Sequence, residues 1–407
     1  MLKNYVFTIL LVIFFCMAIP LPLPFDFDNI VLALFLFLDI ILILVYKRRP
    51  NFAFLKWNVL FIIFCASSIL WSIDPHLSRV QVAVRMMANL SLGVFLTTYP
   101  KNYRQLSTIL SAFYVSSILY FLYVASIVDF SSMDEGRIAE AISDDDIAER
   151  MNSNYIAGRL AFAFYAGLFL LWKFKNNKYT KCFHIVFSVF IFYVVLMSGS
   201  RASLLILIIP PLVYIMLRAK HLIKSLAYIV IGLAMTFYVV MKIPVFYEII
   251  GTRIEDAVNV VTGNETGNED ASRLMLITYG IEWFSEKPVL GYGINCFKVL
   301  SDRAMLFSTR GKYAHNNYIE LMVDVGLVGL LLYYSIFVYL FKSVKGLKRQ
   351  SSTEILKVLL VLILIIDFFW VGYYNRLSQI LLWMTFNIIS LEKSKLNILK
   401  RENKNCN

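Results

Sequence analysis

Long apolar windows separated by short polar links dominate this chain, and they recur at 4–23, 29–46, 52–71, 80–99, 106–128, 155–172, 183–198, 202–217, 223–241, 317–341, 355–373 and 377–391. Crossing the hydrocarbon core of a bilayer takes about 20 apolar residues as a helix. Lipid supplies no partners for backbone N–H and C=O groups, so repeated windows of this kind must satisfy themselves as helices. The expected fold is therefore an all-α integral membrane protein with about twelve transmembrane helices. Of the 407 residues, 59% are hydrophobic and only 16% charged, too few charges to cover a soluble protein of this length.

The links carry charge in alternation. Lys47, Arg48 and Arg49 follow the second window, Lys101 and Arg104 the fourth, and Lys173, Lys175, Lys178 and Lys181 the sixth. Arg218, Lys220 and Lys224 follow the eighth, Lys342, Lys345, Lys348 and Arg349 the tenth, and Lys393, Lys395, Lys400, Arg401 and Lys404 the last. The other links are poor in Lys and Arg, and 129–154 is acidic, with Asp144, Asp145 and Asp146 in a row. A formal charge of +12 distributed this way is the positive-inside pattern, not the single basic face that nucleic acid requires. Both termini are expected in the cytoplasm, with a multi-pass location in the cytoplasmic (inner) membrane. Lys3 and the apolar run after it resemble a signal peptide, but the run ends in Pro20-Leu21-Pro22 without a small-residue cleavage site, and it is read as a retained first span.

Two links are long enough to hold structure of their own. One is the acidic 129–154. The other runs over 242–316, which divides the chain into an N-terminal bundle at 1–241, this large outer loop, and C-terminal helices with a basic tail at 317–407. Within the large loop, 263–270 is polar and flexible in composition, and 271–285 places Leu274, Ile277, Ile281 and Phe284 at helical spacing, ended by Glu286-Lys287-Pro288. The five cysteines show no C-x-x-C pair or Cys/His cluster, so neither a structural disulfide nor a metal site is expected.

Arginine and histidine on the expected outer side depart from the charge rule. Arg201 lies in the tight link Ser198-Gly199-Ser200-Arg201, Arg273 near the start of the amphipathic helix, and His315 and Asn316 where the large loop re-enters the membrane. Guanidinium groups stay charged and grip phosphate oxygens through two parallel bonds. At a membrane surface that phosphate belongs to a lipid headgroup or a lipid-linked diphosphate. A neutral imidazole beside it serves as a general base toward a hydroxyl. Each residue also has a plainer reading: Arg201 as an interfacial snorkelling side chain, Arg273 as a solvated helix charge, His315 as a structural helix-end histidine. Asp39, Arg85, Arg159, Asp324 and Asp367 fall within or at the ends of windows, where ionisable groups are functional candidates by default. Gly291-Tyr-Gly293 is not a nucleotide loop, because no G-x-G-x-x-G continues it.

Taken in order, Ser198-Gly-Ser-Arg201, Ser272-Arg273, Trp283-Phe284, Pro288-Val-Leu-Gly291-Tyr-Gly293, Ala314-His315-Asn316-Asn317-Tyr318-Ile319-Glu320-Leu321 and Gly326-Leu-Val-Gly329-Leu-Leu resemble the O-antigen ligase and polymerase superfamily of bacterial envelope proteins over about 195–335. The resemblance implies a GT-C type glycosyltransferase that needs neither a nucleotide sugar nor a metal or other cofactor. It implies undecaprenyl diphosphate-linked glycan as donor, a glycan or lipid A-core as acceptor, and a chain-length regulator as a protein partner. Arg201 and Arg273 match the arginines expected to hold the diphosphate, His315 the histidine expected to act on the acceptor hydroxyl, and Asn316 its support; Arg159 joins them as a substrate-binding candidate.

The expected activity is polymerisation of lipid-linked repeat units of O-antigen or capsular polysaccharide, chosen over ligation to lipid A-core because such polymerases are numerous. No residue reads out the acceptor. The rival class is a transporter or flippase, for which paired half-repeats and matching broken helices are expected and not found in the sequence.

Overall fold

The computed structural model describes residues 11–12, 15, 27–127, 153–173, 178–198, 200–218, 222–242, 247, 251, 255, 269–304, 312–347 and 351–405. The acidic link up to residue 152, the polar stretch 263–268 and nearly all of the first window lie outside them. The described residues form helices and turns, with no strand among them. In chain order the helices are α1 (Phe27–Ile40, continued by a π-helical turn Ile41–Val45), α2 (Phe52–Trp71), α3 (Pro75–Thr98), α4 (Tyr103–Ile127), α5 (Ser153–Lys173), α6 (Lys178–Met197), α7 (Arg201–Arg218), α8 (Leu222–Lys242), α9 (Glu269–Glu286), α10 (Phe297–Arg303), α11 (Asn317–Lys345), α12 (Ser351–Ile366) and α13 (Arg376–Asn405). Each apolar window from 29–46 onward falls on one of them. Four have both the length and the apolarity to cross a membrane: α2, α3, α4 and α11. Several others expose apolar faces, such as Ile185, Val186 and Val189 on α6, as a lipid-facing helix does.

The chain forms two compact units, Met1–Phe25 with Leu106–Thr266, and Asp26–Gln105 with Gly267–Asn407. The division is discontinuous in sequence: helices α1–α3 group with the C-terminal third and not with α5–α8.

In the first unit α5 packs against α6 and α7. Pro210 and Pro211 lie inside α7. A proline has no N–H, so the carbonyl four residues before it loses its helical partner. Tyr165 Oη supplies the missing donor to Leu207, four residues before Pro211, at 2.7 Å. The helix keeps Pro211 because a neighbour repairs the ladder there.

In the second unit α1 packs on α3, α3 on α13, α2 on α11, and α9 on α11. Trp57 Nε1 on α2 donates to the carbonyls of Leu332 and Tyr333 on α11, at 3.1 and 3.0 Å. Asp39 is buried and accepts from Ser91 Oγ at 3.2 Å. The face that α9 buries differs from the expected one. Leu276, Gly280 and Trp283 are buried, with Ile277 and Phe284 half-buried, whereas Leu274 and Ile281 are exposed. The reason is the partner: Gly280 lets Ile319 of α11 and Phe297 of α10 approach closely, which turns that side inward. The window at 355–373 also overshoots. Helix α12 stops at Ile366, and 367–375 is a link whose aromatic residues imitate a span in composition.

Helix α11 kinks at Gly326, whose backbone takes φ 62° and ψ −168°. A regular helix would bond Leu327 N–H to Val323 C=O and Val328 N–H to Asp324 C=O. Here the segment 288–293 takes all four groups. Leu327 N–H donates to Pro288 at 2.8 Å and Val328 N–H to Val289 at 3.3 Å, while Tyr292 and Gly293 N–H donate to Val323 and Asp324 at 2.9 and 2.8 Å. Two glycines make the approach feasible. A Cβ on Gly291 would lie 2.5 Å from the Val323 carbonyl oxygen, and one on Gly326 would collide with the Val289 carbonyl. Both sit at positive φ, where a side chain costs roughly 1–2 kcal/mol before any clash. Gly326→Ala should therefore lower the thermal midpoint of the purified protein by several degrees and open the 288–304 segment to protease. Gly346→Ala, whose Cβ would meet nothing nearer than 3.6 Å, should leave both unchanged.

Candidate functional site

The kink sits nine residues beyond Asn317, the first residue of α11, and the same region of the second unit holds the His315 turn. Asp324, just before the break, turns its carboxylate to the docked segment and accepts from Asn295 N–H and Phe297 N–H, both at 2.7 Å. The α2–α3 link joins them. Ile294 N–H donates to Ser68 Oγ at 3.0 Å, Ser78 Oγ to the Ile294 carbonyl at 2.6 Å, and Ile73 N–H to the Tyr292 carbonyl at 3.1 Å. Buried Cys296 lies 3.1 Å from Ser72 Oγ, and burial first and the Asp324 charge second push its thiol above the usual range. A thiol so placed is a packing group, not a nucleophile.

His315 is half-buried at φ 52°, a left-handed conformation that few non-glycine residues adopt. Its imidazole lies against the Tyr313 ring, with centroids 4.0 Å apart. The residues on both sides are tied down. Glu320 accepts from Ala314 N–H at 2.7 Å. Asn316 caps α11, its side-chain oxygen accepting from Tyr318 and Ile319 N–H at 3.0 and 3.2 Å. Such a cap is worth about 1 kcal/mol.

Asn317, to which the sequence reading gave no role, makes the larger set of bonds. Its N–H donates to the Asp367 carbonyl at 2.7 Å, and its amide nitrogen donates to Asp367 Oδ2 at 3.2 Å and to Tyr334 Oη at 2.9 Å. Its amide oxygen accepts from Tyr373 N–H at 3.0 Å. Tyr334 Oη also donates to Asp367 at 2.8 Å. Asp367 thus anchors the head of α11 to the α12–α13 link. The only sequence signal was the paired asparagines of Ala314-His-Asn-Asn-Tyr318.

Arg85 belongs to this region too. It lies in a π-helical turn of α3, Gln81–Met86, a geometry that recurs at functional sites. Its guanidinium donates to Gln81 at 3.3 Å and stands 5.9 Å from the Tyr374 ring. Gln81 donates in turn to Tyr373 Oη at 3.3 Å. Burial pushes the Tyr374 phenol well up, with Glu320 and Tyr313 adding to the rise and Arg85 opposing it, so these groups share one electrostatic neighbourhood with the His315 turn.

The remaining candidates are placed as follows. Arg273 is half-buried on the second turn of α9, in the same unit as His315 and on a helix that packs against α11. Arg201 opens α7 in the first unit, as Arg159 lies on α5 of that unit. Arg159 is fully buried. Its guanidinium donates to Ser116 Oγ at 3.1 Å, Ser117 Oγ at 3.4 Å and the Phe15 carbonyl at 3.3 Å, and it lies 4.4 Å from the Tyr120 ring centre. That is the environment of an internal brace.

No curated protein matches the chain. Residues 186–334 match the family model described as O-antigen ligase, a stretch that spans the Arg201, Arg273 and His315 motifs, the glycine pair and the kink. Over that stretch the chain carries an O-antigen ligase domain, which supports the resemblance to the O-antigen ligase and polymerase superfamily.

Proposed function

We propose that the protein transfers a glycan from a lipid diphosphate to an acceptor hydroxyl at the outer face of the cytoplasmic membrane, with His315 as general base. The observation that carries this reading is the clamped turn. The backbone on both sides of His315, itself at a left-handed position, is tied down by Glu320, Asn316 and the Asn317–Asp367 pair, and the imidazole lies against the Tyr313 ring. The family match supports it independently.

In this mechanism the acceptor oxygen attacks the anomeric carbon as His315 takes the hydroxyl proton. The bond from that carbon to the diphosphate oxygen breaks, and undecaprenyl diphosphate leaves. Attack opposite the leaving group inverts the anomeric configuration. Arg273 offsets the charge building on the diphosphate, with no metal required; Arg201 keeps the same role by resemblance. Arg159 serves the first unit as a brace, and Asn316 serves the turn as a helix cap. The acceptor is a second lipid-linked repeat unit, which makes the protein a polymerase.

Two experiments test this. His315→Asn keeps a residue type that tolerates positive φ while removing the base. It should insert and purify like the unmodified protein yet lose roughly 10²–10⁴-fold in transfer, as removal of a general base does; undiminished turnover would refute the assignment. Deleting the gene should leave surface glycan of single repeats if the protein is the polymerase. Bare core with accumulated lipid-linked polymer would instead make it the ligase.

A further inference from the structure

Helix α11 is 29 residues long, about 43 Å at 1.5 Å per residue, and its far end builds a second site. A cavity of about 430 Å³ opens there between the α1–α2 link, the end of α3, the last turns of α11 and the middle of α13. Arg49, Lys101 and Lys393 line it, with Phe52, Tyr339 and Phe386 as the apolar part of its wall. No acidic side chain is among its lining residues.

Among the described residues, no ion pair engages Arg49, Lys101 or Lys393. Glu392, beside Lys393 in sequence, is hydrogen-bonded to Tyr103 Oη and paired with Lys395 at 3.7 Å. Lys393 is positioned by neutral groups, donating to Ser343 Oγ at 3.0 Å and standing 5.4 Å from the Tyr339 ring. Tyr339 and Phe386 stack with centroids 6.4 Å apart. Phe52 is 75% exposed beside them. Lys101 is held below the ordinary lysine range by burial and then by the like charge of Arg48. Cations crowded without an acid favour an anion, and an aromatic wall next to them favours an acyl or glycerol group on that anion. A free inorganic ion makes no use of the wall.

We propose that this cavity binds the phosphate headgroup of an anionic phospholipid in the leaflet opposite the His315 turn. It lies at the basic end of the second unit, the end that the charge alternation assigns to the cytoplasm. Basic pockets between helices on that side select anionic headgroups. The bound lipid would seal the α1–α2 link, α3, α11 and α13 together at the end remote from the proposed chemistry. It is independent of which acceptor the outer site uses.

Native mass spectrometry of the full-length protein in detergent tests this, titrating phosphatidylglycerol, phosphatidylcholine or inorganic phosphate. Phosphatidylglycerol should be retained on the order of tenfold more strongly than phosphatidylcholine. Arg49→Gln with Lys101→Gln should abolish the preference, while Arg49→Lys with Lys101→Arg and the non-lining Lys345→Gln should keep it. Equal retention of the two lipids, an unchanged preference in the double Gln variant, or its loss in the charge-conserving variant would overturn the proposal. Displacement of phosphatidylglycerol by millimolar inorganic phosphate would also overturn it, reassigning the cavity to a soluble anion.

Discussion

The break in α11 at Gly326 is the constraint on which the rest of the second unit depends. A helix interrupted inside a membrane protein leaves backbone groups without partners, each costing several kcal/mol if it meets lipid. The 288–293 segment meets that demand with four backbone bonds, so helix and loop cannot adopt their conformations separately. Asp324 extends the coupling into the turn before α10, and Ser68, Ile73 and Ser78 extend it into the α2–α3 link. Loop, broken helix and link therefore form one rigid head, and the His315 turn is part of it.

This arrangement explains why ionisable groups in that head are structural as well as functional candidates. Asp324, Glu320 and Asp367 all accept backbone or side-chain hydrogen bonds that hold irregular segments in place. Buried carboxylates of this kind replace the ladder bonds that loops lack. Arg159 plays the corresponding part in the first unit, binding two serines and a carbonyl. The groups left to meet substrate in the proposed mechanism are His315, Arg273 and Arg201, the first two half-buried.

Much of this is legible in the sequence alone, for physical reasons that differ by element. The apolar windows found the helices because lipid exposure enforces long hydrophobic runs. The glycines of Gly291-Tyr-Gly293 and Gly326 stood out in sequence, but their purpose did not, since only the pairing of two distant backbones requires them. The face of α9 was misread because Leu274 and Ile281 satisfy a helical period while being exposed; the true face contains Gly280, which scores as nothing in an apolar count. The 367–375 link hid behind Phe368, Phe369 and Trp370. Asn317 was overlooked beside His315 because its partners, Asp367 and Tyr373, lie 50 and 56 residues away. Arg85 stands out in the sequence as a charge within an apolar window, but its exposure, its π-helical turn and its Tyr374 neighbour are tertiary facts.

The central claim is that this rigid head carries out glycosyl transfer from a lipid diphosphate. The most direct measurement is incubation of the purified protein with undecaprenyl diphosphate-linked oligosaccharide in detergent, with chelator present and no ion gradient, followed by separation of the lipid and glycan products. The account predicts longer lipid-linked glycan and release of undecaprenyl diphosphate in equal amounts. Unchanged donor under these conditions, with movement of the lipid-linked sugar across sealed vesicles instead, would contradict it.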